Sequence, residues 1–104
     1  MNLFLYLFSQ NQVYDMKNGE KKYSSCISCH GKQGLGKESQ KAPRINNQYR
    51  FYIEKQLKDI QRGVLSDGKE GRRGGEVSKM APFVKNLTEK DIIDLSYYIS
   101  STFK

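Results

Sequence analysis

An all-α fold, with three main helices and glycine-rich loops wrapped around a bound apolar body, is what the 104 residues predict. Apolar residues recur at helical spacing in three segments, and no segment shows strand alternation or an internal repeat. Glycine-rich stretches separate the later segments and break regular structure there. Only 37% of the residues are hydrophobic and 28% are charged, with two alanines and no tryptophan. So short a chain forms one domain and would struggle to fill a core with that composition alone. Seven Tyr and five Phe argue against disorder. The remaining solution is a non-peptide group that completes the core.

The first helix is expected over residues 15–26, with Asp15 as N-cap and Tyr23 on its inner face. Gly31, Gly34 and Gly36 then interrupt the chain. Their G-x-x-G-x-G spacing follows no strand and opens no helix, so a phosphate loop is rejected. From Gln48 to Arg62, the residues Tyr49, Tyr52, Ile53, Leu57 and Ile60 share one helical face. Ser66 to Gly75 holds four glycines and reads as a charged, flexible loop. Thr88-Glu89-Lys90-Asp91 resembles a capping box with Asp in place of Glu. Behind it, Ile92, Leu95, Ile99 and Phe103 form the buried stripe of a C-terminal helix.

The domain is expected to occupy residues 15–104, preceded at 1–14 by an apolar arm or the remnant of a leader. Leu3–Phe8 is too short to span a bilayer. No Lys or Arg precedes Lys17 and no Ala-x-Ala site follows, so a leader here is atypical or truncated. The net charge is +7 and gathers mid-chain, where Lys32, Lys37, Lys41, Arg44 and Arg50 face only Glu38. Such a surface suits an acidic protein partner, an anionic lipid or nucleic acid. Only charge and aromatics favour nucleic acid, and that class is set aside.

Cys26 and Cys29 are two residues apart, and the single histidine, His30, follows directly. A disulfide scaffold would need more cysteines, and a structural zinc site needs four protein ligands where Cys and His supply three. A thioredoxin-like pair would sit in a βαβ pattern that is absent. C-x-x-C-H remains, the attachment site of c-type haem. Its spacing lets two thiols reach the vinyl groups along one haem edge while the adjacent imidazole takes the proximal iron position. His30 is then used, so the distal candidates are methionines: Met1, Met16 and Met80. Met1 is terminal and Met16 precedes the cysteines. Met80 stands beyond the long loop with Pro82 stiffening the backbone beside it, and it is favoured. A core methionine, a vacant position and Lys79 are the alternatives.

With these residues in view, the chain resembles a class I c-type cytochrome of the short bacterial monohaem kind, over about residues 15–103. The resemblance rests on Cys26-Ile27-Ser28-Cys29-His30-Gly31, on Ala42-Pro43 and on Met80-Ala81-Pro82-Phe83. Gly19 with Tyr23, and Leu95 with Tyr98, look like the family's helix crossing. The resemblance implies a small cytochrome c-like fold around one haem c, attached through thioethers at Cys26 and Cys29. It also implies that the Pro43 carbonyl accepts a hydrogen bond from His30; the plainer reading is a loop-ending proline. Arg44, Asn47 and Gln48 are candidates to bind haem propionates, or else form a solvated helix start. Tyr49, Tyr52, Ile53, Leu57, Phe83 and Leu87 are expected to pack around the haem.

These expectations add up to a one-electron carrier between respiratory redox partners rather than an enzyme. It would take electrons from a quinol-oxidising complex or a dehydrogenase and deliver them to a terminal oxidase, a peroxidase or another reductase. Partners with acidic docking surfaces and a periplasmic location fit that role. The alternatives are a haem c subunit wiring a larger oxidoreductase, to which an exposed Leu3–Phe8 patch would contribute, and a ligand-binding haem protein with a labile Met80.

Overall fold

The computed structural model describes residues 14–66 and 75–104, without the side chains of residues 75–77. All of the expected arm but Tyr14, Leu3–Phe8 included, and most of the Ser66–Gly75 loop lie outside those residues. Among the described residues the chain forms helices and one isolated antiparallel bridge, Lys37 to Ala42, and no strand. The helices are α1 (Met16–Tyr23), α2 (Ile27–His30), α3 (Arg50–Leu65), α4 (Ala81–Val84) and α5 (Glu89–Thr102). Short 3-10 turns cover Glu38–Gln40 and Gly75–Met80.

Helix α1 starts where the sequence indicates. The Asp15 carboxylate accepts the Asn18 backbone N–H at 3.0 Å and caps it. It ends three residues earlier than expected, at Tyr23. The hydroxyls of Ser24 and Ser25 turn back on the carbonyls of Lys21 and Lys22, at 2.6 and 3.0 Å. Hydroxyls that close on nearby backbone in this way compete with the helix ladder. The Cys26 N–H then bonds the Tyr23 carbonyl at 2.7 Å, a tighter turn that leads directly into α2. At the other end of the chain, Thr88 and Asp91 form the reciprocal capping box, with bonds of 3.1 and 3.0 Å.

Helix α5 packs across both α1 and α3, and α4 lies against α3. The α1–α5 crossing needs a residue without a side chain. A Cβ placed on Gly19 would stand 2.6 Å from Tyr98 Cβ and would collide with the Asp94 carbonyl oxygen. Tyr23, Leu95, Ile99 and Phe103 are buried there, and Ile53, Leu57, Ile60, Val84 and Ile92 continue the core toward α3 and α4. Helix α3 runs three residues past the expected end. Two residues of its expected inner face lie outside: Tyr49 is 85% exposed and Tyr52 52%. Tyr49 is the N-cap rather than a helical residue, and the buried stripe begins one turn later, at Ile53.

Candidate functional site

The surroundings of His30 are built by short-range bonds. The His30 N–H donates to the Cys26 carbonyl at 2.8 Å, closing the turn that carries both cysteines. Gly36 returns its N–H to the His30 carbonyl at 2.9 Å, with a φ of +81° that only glycine adopts freely. A Cβ on Gly36 would also stand 2.6 Å from the Ala42 carbonyl oxygen. This turn brings Pro43 beside the histidine, where His30 Nδ1 lies 2.9 Å from the Pro43 carbonyl oxygen. A carbonyl can only accept, so Nδ1 is the donor, and in the neutral ring this tautomer leaves the Nε2 lone pair free.

Tyr23 braces the same loop from both ends. Its carbonyl accepts the Cys26 N–H, and its hydroxyl donates to the Gly31 carbonyl at 2.7 Å. Its ring packs against Tyr98 and Phe103, with centroids 5.8 and 4.9 Å away. Burial, followed by the neighbouring Cys26 and Tyr98, holds its hydroxyl well above the ordinary tyrosine range. Burial also pushes the Cys26 thiol up, against a hydrogen bond from Ser25 that lowers it. Cys26 and Cys29 are both half-buried and form no disulfide.

A cavity of about 350 Å³ opens beside this loop. Cys26, Cys29, His30 and Pro43 line it together with the apolar Leu57, Ile60, Met80, Phe83, Val84 and Leu87. Its volume falls in the range of small-molecule pockets. The donor set fits a covalently held haem: two thiols in the attachment spacing, an imidazole with one nitrogen already committed, and a thioether in an apolar wall. Lys22, Lys41 and Lys79 also border the cavity.

Not every anticipated residue reaches it. Arg44 is exposed and bonds Asn46 Oδ1 at 2.9 Å, and neither it nor Gln48 lines the cavity. Tyr49 and Tyr52 stand outside as well, and Ile53 belongs to the buried core rather than to the cavity wall. The reading from sequence also passed over Ile60 and Val84 as haem-packing residues. A signal existed, since Ile60 lies three residues after Leu57 and Val84 four after Met80, both helical neighbours.

Residues 16–103 match the family described as Cytochrome c. The chain belongs to the cytochrome c family. It is 33% identical over 87 residues to cytochrome c-554(548) of Halomonas halodenitrificans, covering 84% of this chain and 95% of that protein. It is 31% identical over 87 residues to cytochrome c4 of Azotobacter vinelandii and 32% identical over 87 residues to cytochrome c4 of Stutzerimonas stutzeri. In both c4 comparisons 84% of this chain is covered, yet it spans 40% of the relative's length. Members of the cytochrome c family bind haem c covalently and carry electrons, and this chain is a c-type cytochrome with that role. Among the described residues no helix is long and apolar enough to cross a membrane.

Proposed function

We propose that this cytochrome c is a single-haem shuttle in which His30 and Met80 would be the two protein ligands of the iron. The observation that carries this reading is the shared cavity, where His30, both cysteines and Met80 line one apolar space. Haem c, when bound, supplies the one-electron couple. The chain's own residues do the rest. Cys26 and Cys29 tether the group, and the Pro43 carbonyl orients His30 and strengthens its donation. Met80 supplies a soft sulfur that favours the reduced state, and the apolar wall acts in the same direction. Two protein ligands, His30 and Met80, would leave the iron no free position for a substrate, which suits a carrier without catalysis of its own.

The basic rim of Lys22, Lys41 and Lys79 fits a partner with an acidic docking face, where long-range attraction speeds encounter more than it tightens binding. The donor in this proposal is a quinol-oxidising complex or a dehydrogenase, and the acceptor is a terminal oxidase, a peroxidase or another reductase. The place is the periplasm, on the outer side of a bacterial inner membrane. A second reading, one haem module of a larger oxidoreductase, draws support from the 40% share of the c4 relatives that this chain spans.

The test uses protein made in a haem-attaching host. Mass spectrometry is expected to show one covalent haem, and the oxidised form to show the far-red thioether–iron absorption. Met80→Ala is expected to abolish that band, lower the potential and open the iron to carbon monoxide. An unchanged spectrum, potential and carbon monoxide reactivity would rule Met80 out as the ligand.

A further inference from the structure

Gln61 sits on α3, directly after the cavity-lining Ile60. Its side-chain amide nitrogen donates to the Val84 carbonyl at 2.9 Å and to the Leu87 carbonyl at 2.7 Å. Both N–H bonds of that nitrogen are thereby used. The two acceptors lie at the end of α4 and in the turn after it, in the short segment that Met80 opens as N-cap. Four residues are too few for a helix to hold itself, since nucleation is costly and few bonds repay it. The segment's own bonds, from Lys85 to Ala81 and from Leu87 to Val84, span 3.0 and 3.2 Å. Its Val84 is buried in the core, whereas Phe83 is 48% exposed.

Apolar burial is non-directional and permits sliding, whereas two hydrogen bonds from one planar amide fix register. Leu57 and Ile60 reach the cavity from the same turn of α3 that carries Gln61. The amide therefore links the register of the Met80 segment to the helix that supplies Leu57 and Ile60 to the same cavity.

We propose that Gln61 is the positioning residue of the distal ligand: its two bonds hold the Met80–Leu87 segment against α3 and set how often Met80 leaves the iron. This rests on the ligation by Met80 proposed above, and it goes further by naming the group that governs the lability of that ligand.

Carbon monoxide binding to the reduced holoprotein reads the departure rate of the distal ligand. Gln61→Met keeps the length and the helix propensity of the side chain while removing both donors. It is expected to bind carbon monoxide ~10-fold faster than the unmodified protein, the rate equivalent of one modest hydrogen bond. Haem content should be unchanged, and the far-red band should fade at a lower temperature. Gln61→Glu keeps the shape, loses the donors at neutral pH, and is expected to show the same acceleration; it serves if the thioether variant does not fold. Ile99→Val, which trims the core away from this contact, lowers thermal stability but should leave the carbon monoxide rate alone.

Gln61 variants that bind carbon monoxide at the unmodified rate, while Met80→Ala binds it fast, would overturn the proposal and leave the ligation reading standing. Equal acceleration in Ile99→Val at matched stability would also overturn it, since the effect would then be general loosening. If the unmodified protein binds carbon monoxide as fast as Met80→Ala, the ligation reading itself falls and the proposal falls with it.

Discussion

His30 and Met80 border the same cavity but are delivered to it by different kinds of structure. The bonds that hold His30 come from Cys26, Gly36 and Pro43, at most thirteen positions away in the chain. The Met80 segment is tied to α3 by bonds that span 23 and 26 residues. The geometry around His30 is therefore written into one short stretch of turns, whereas that of the Met80 segment exists only once α3 has packed. Local closure costs less chain entropy than a distant contact and is recovered faster after opening. If Met80 ligates the iron as proposed, this difference makes its side the place for ligand lability and the His30 side the fixed reference.

The largest effect is expected from removing the tether that both sides share. The double variant Cys26→Ala and Cys29→Ala leaves the cavity between α2, α3 and α4 without its covalent filling. With 37% hydrophobic residues, the peptide lacks the apolar mass to close that space. The expected loss is the whole of the cooperative stability, on the order of 5 kcal/mol or more. Far-UV circular dichroism and mass spectrometry check this together. A haem-free chain that stays fully helical and melts cooperatively would show that the two walls need no common filling.

A smaller effect should separate the two sides. Gly19→Ala forces a methyl group against the Asp94 carbonyl and Tyr98 at the α1–α5 crossing. Overpacking of this kind costs about 1–3 kcal/mol. The crossing supports Tyr23 and so the cysteine–histidine loop, but α4 does not take part in it. A lowered melting temperature with an unchanged carbon monoxide rate is the expected pair of results. A faster carbon monoxide rate would show that the proximal frame also governs Met80.

The same division explains what the sequence could reveal. The cysteine–histidine motif, the Asp15 cap, the Thr88 box and the buried stripe of α5 depend on neighbours within a turn or two, so spacing alone exposes them. Met80, which lines the cavity, was a candidate because few soft ligands were on offer. Gln61 could not, because its acceptors are main-chain carbonyls more than twenty residues away and carry no side-chain signature. Tyr49 and Tyr52 misled for a related reason. Periodicity places a residue on a face but does not say where along the helix a neighbour begins, and the packed stretch of α3 starts only at Ile53. Ser24 and Ser25 ended α1 early through hydroxyl bonds that helical spacing does not register.

Acid should weaken the α1–α5 crossing first, because it carries the buried Asp94 and the partly buried Asp91. Asp94 is 2% exposed and accepts from the Asp15 N–H at 3.1 Å, Asn18 Nδ2 at 2.9 Å and Lys90 Nζ at 2.5 Å. Burial alone would raise its pKa, but these donors outweigh it and hold the carboxyl below the ordinary 3.8. Asp91 is lowered in the same way, against its own burial, by Asn18, Thr88 and Lys22. A carboxylate depressed in the folded state adds stability above its unfolded pKa, and that stability is lost as the pH falls through the folded value. Asp94→Asn removes one such contribution, about 1 kcal/mol at neutral pH. Stability curves of the two proteins are therefore expected to converge on acidification through and below the ordinary carboxylate range, with the variant showing the shallower acid limb. Parallel curves down to the lowest pH reached would place the acid-sensitive carboxylates elsewhere. If the far-red absorption disappears before the helices melt, the distal side opens first under acid as well as under carbon monoxide.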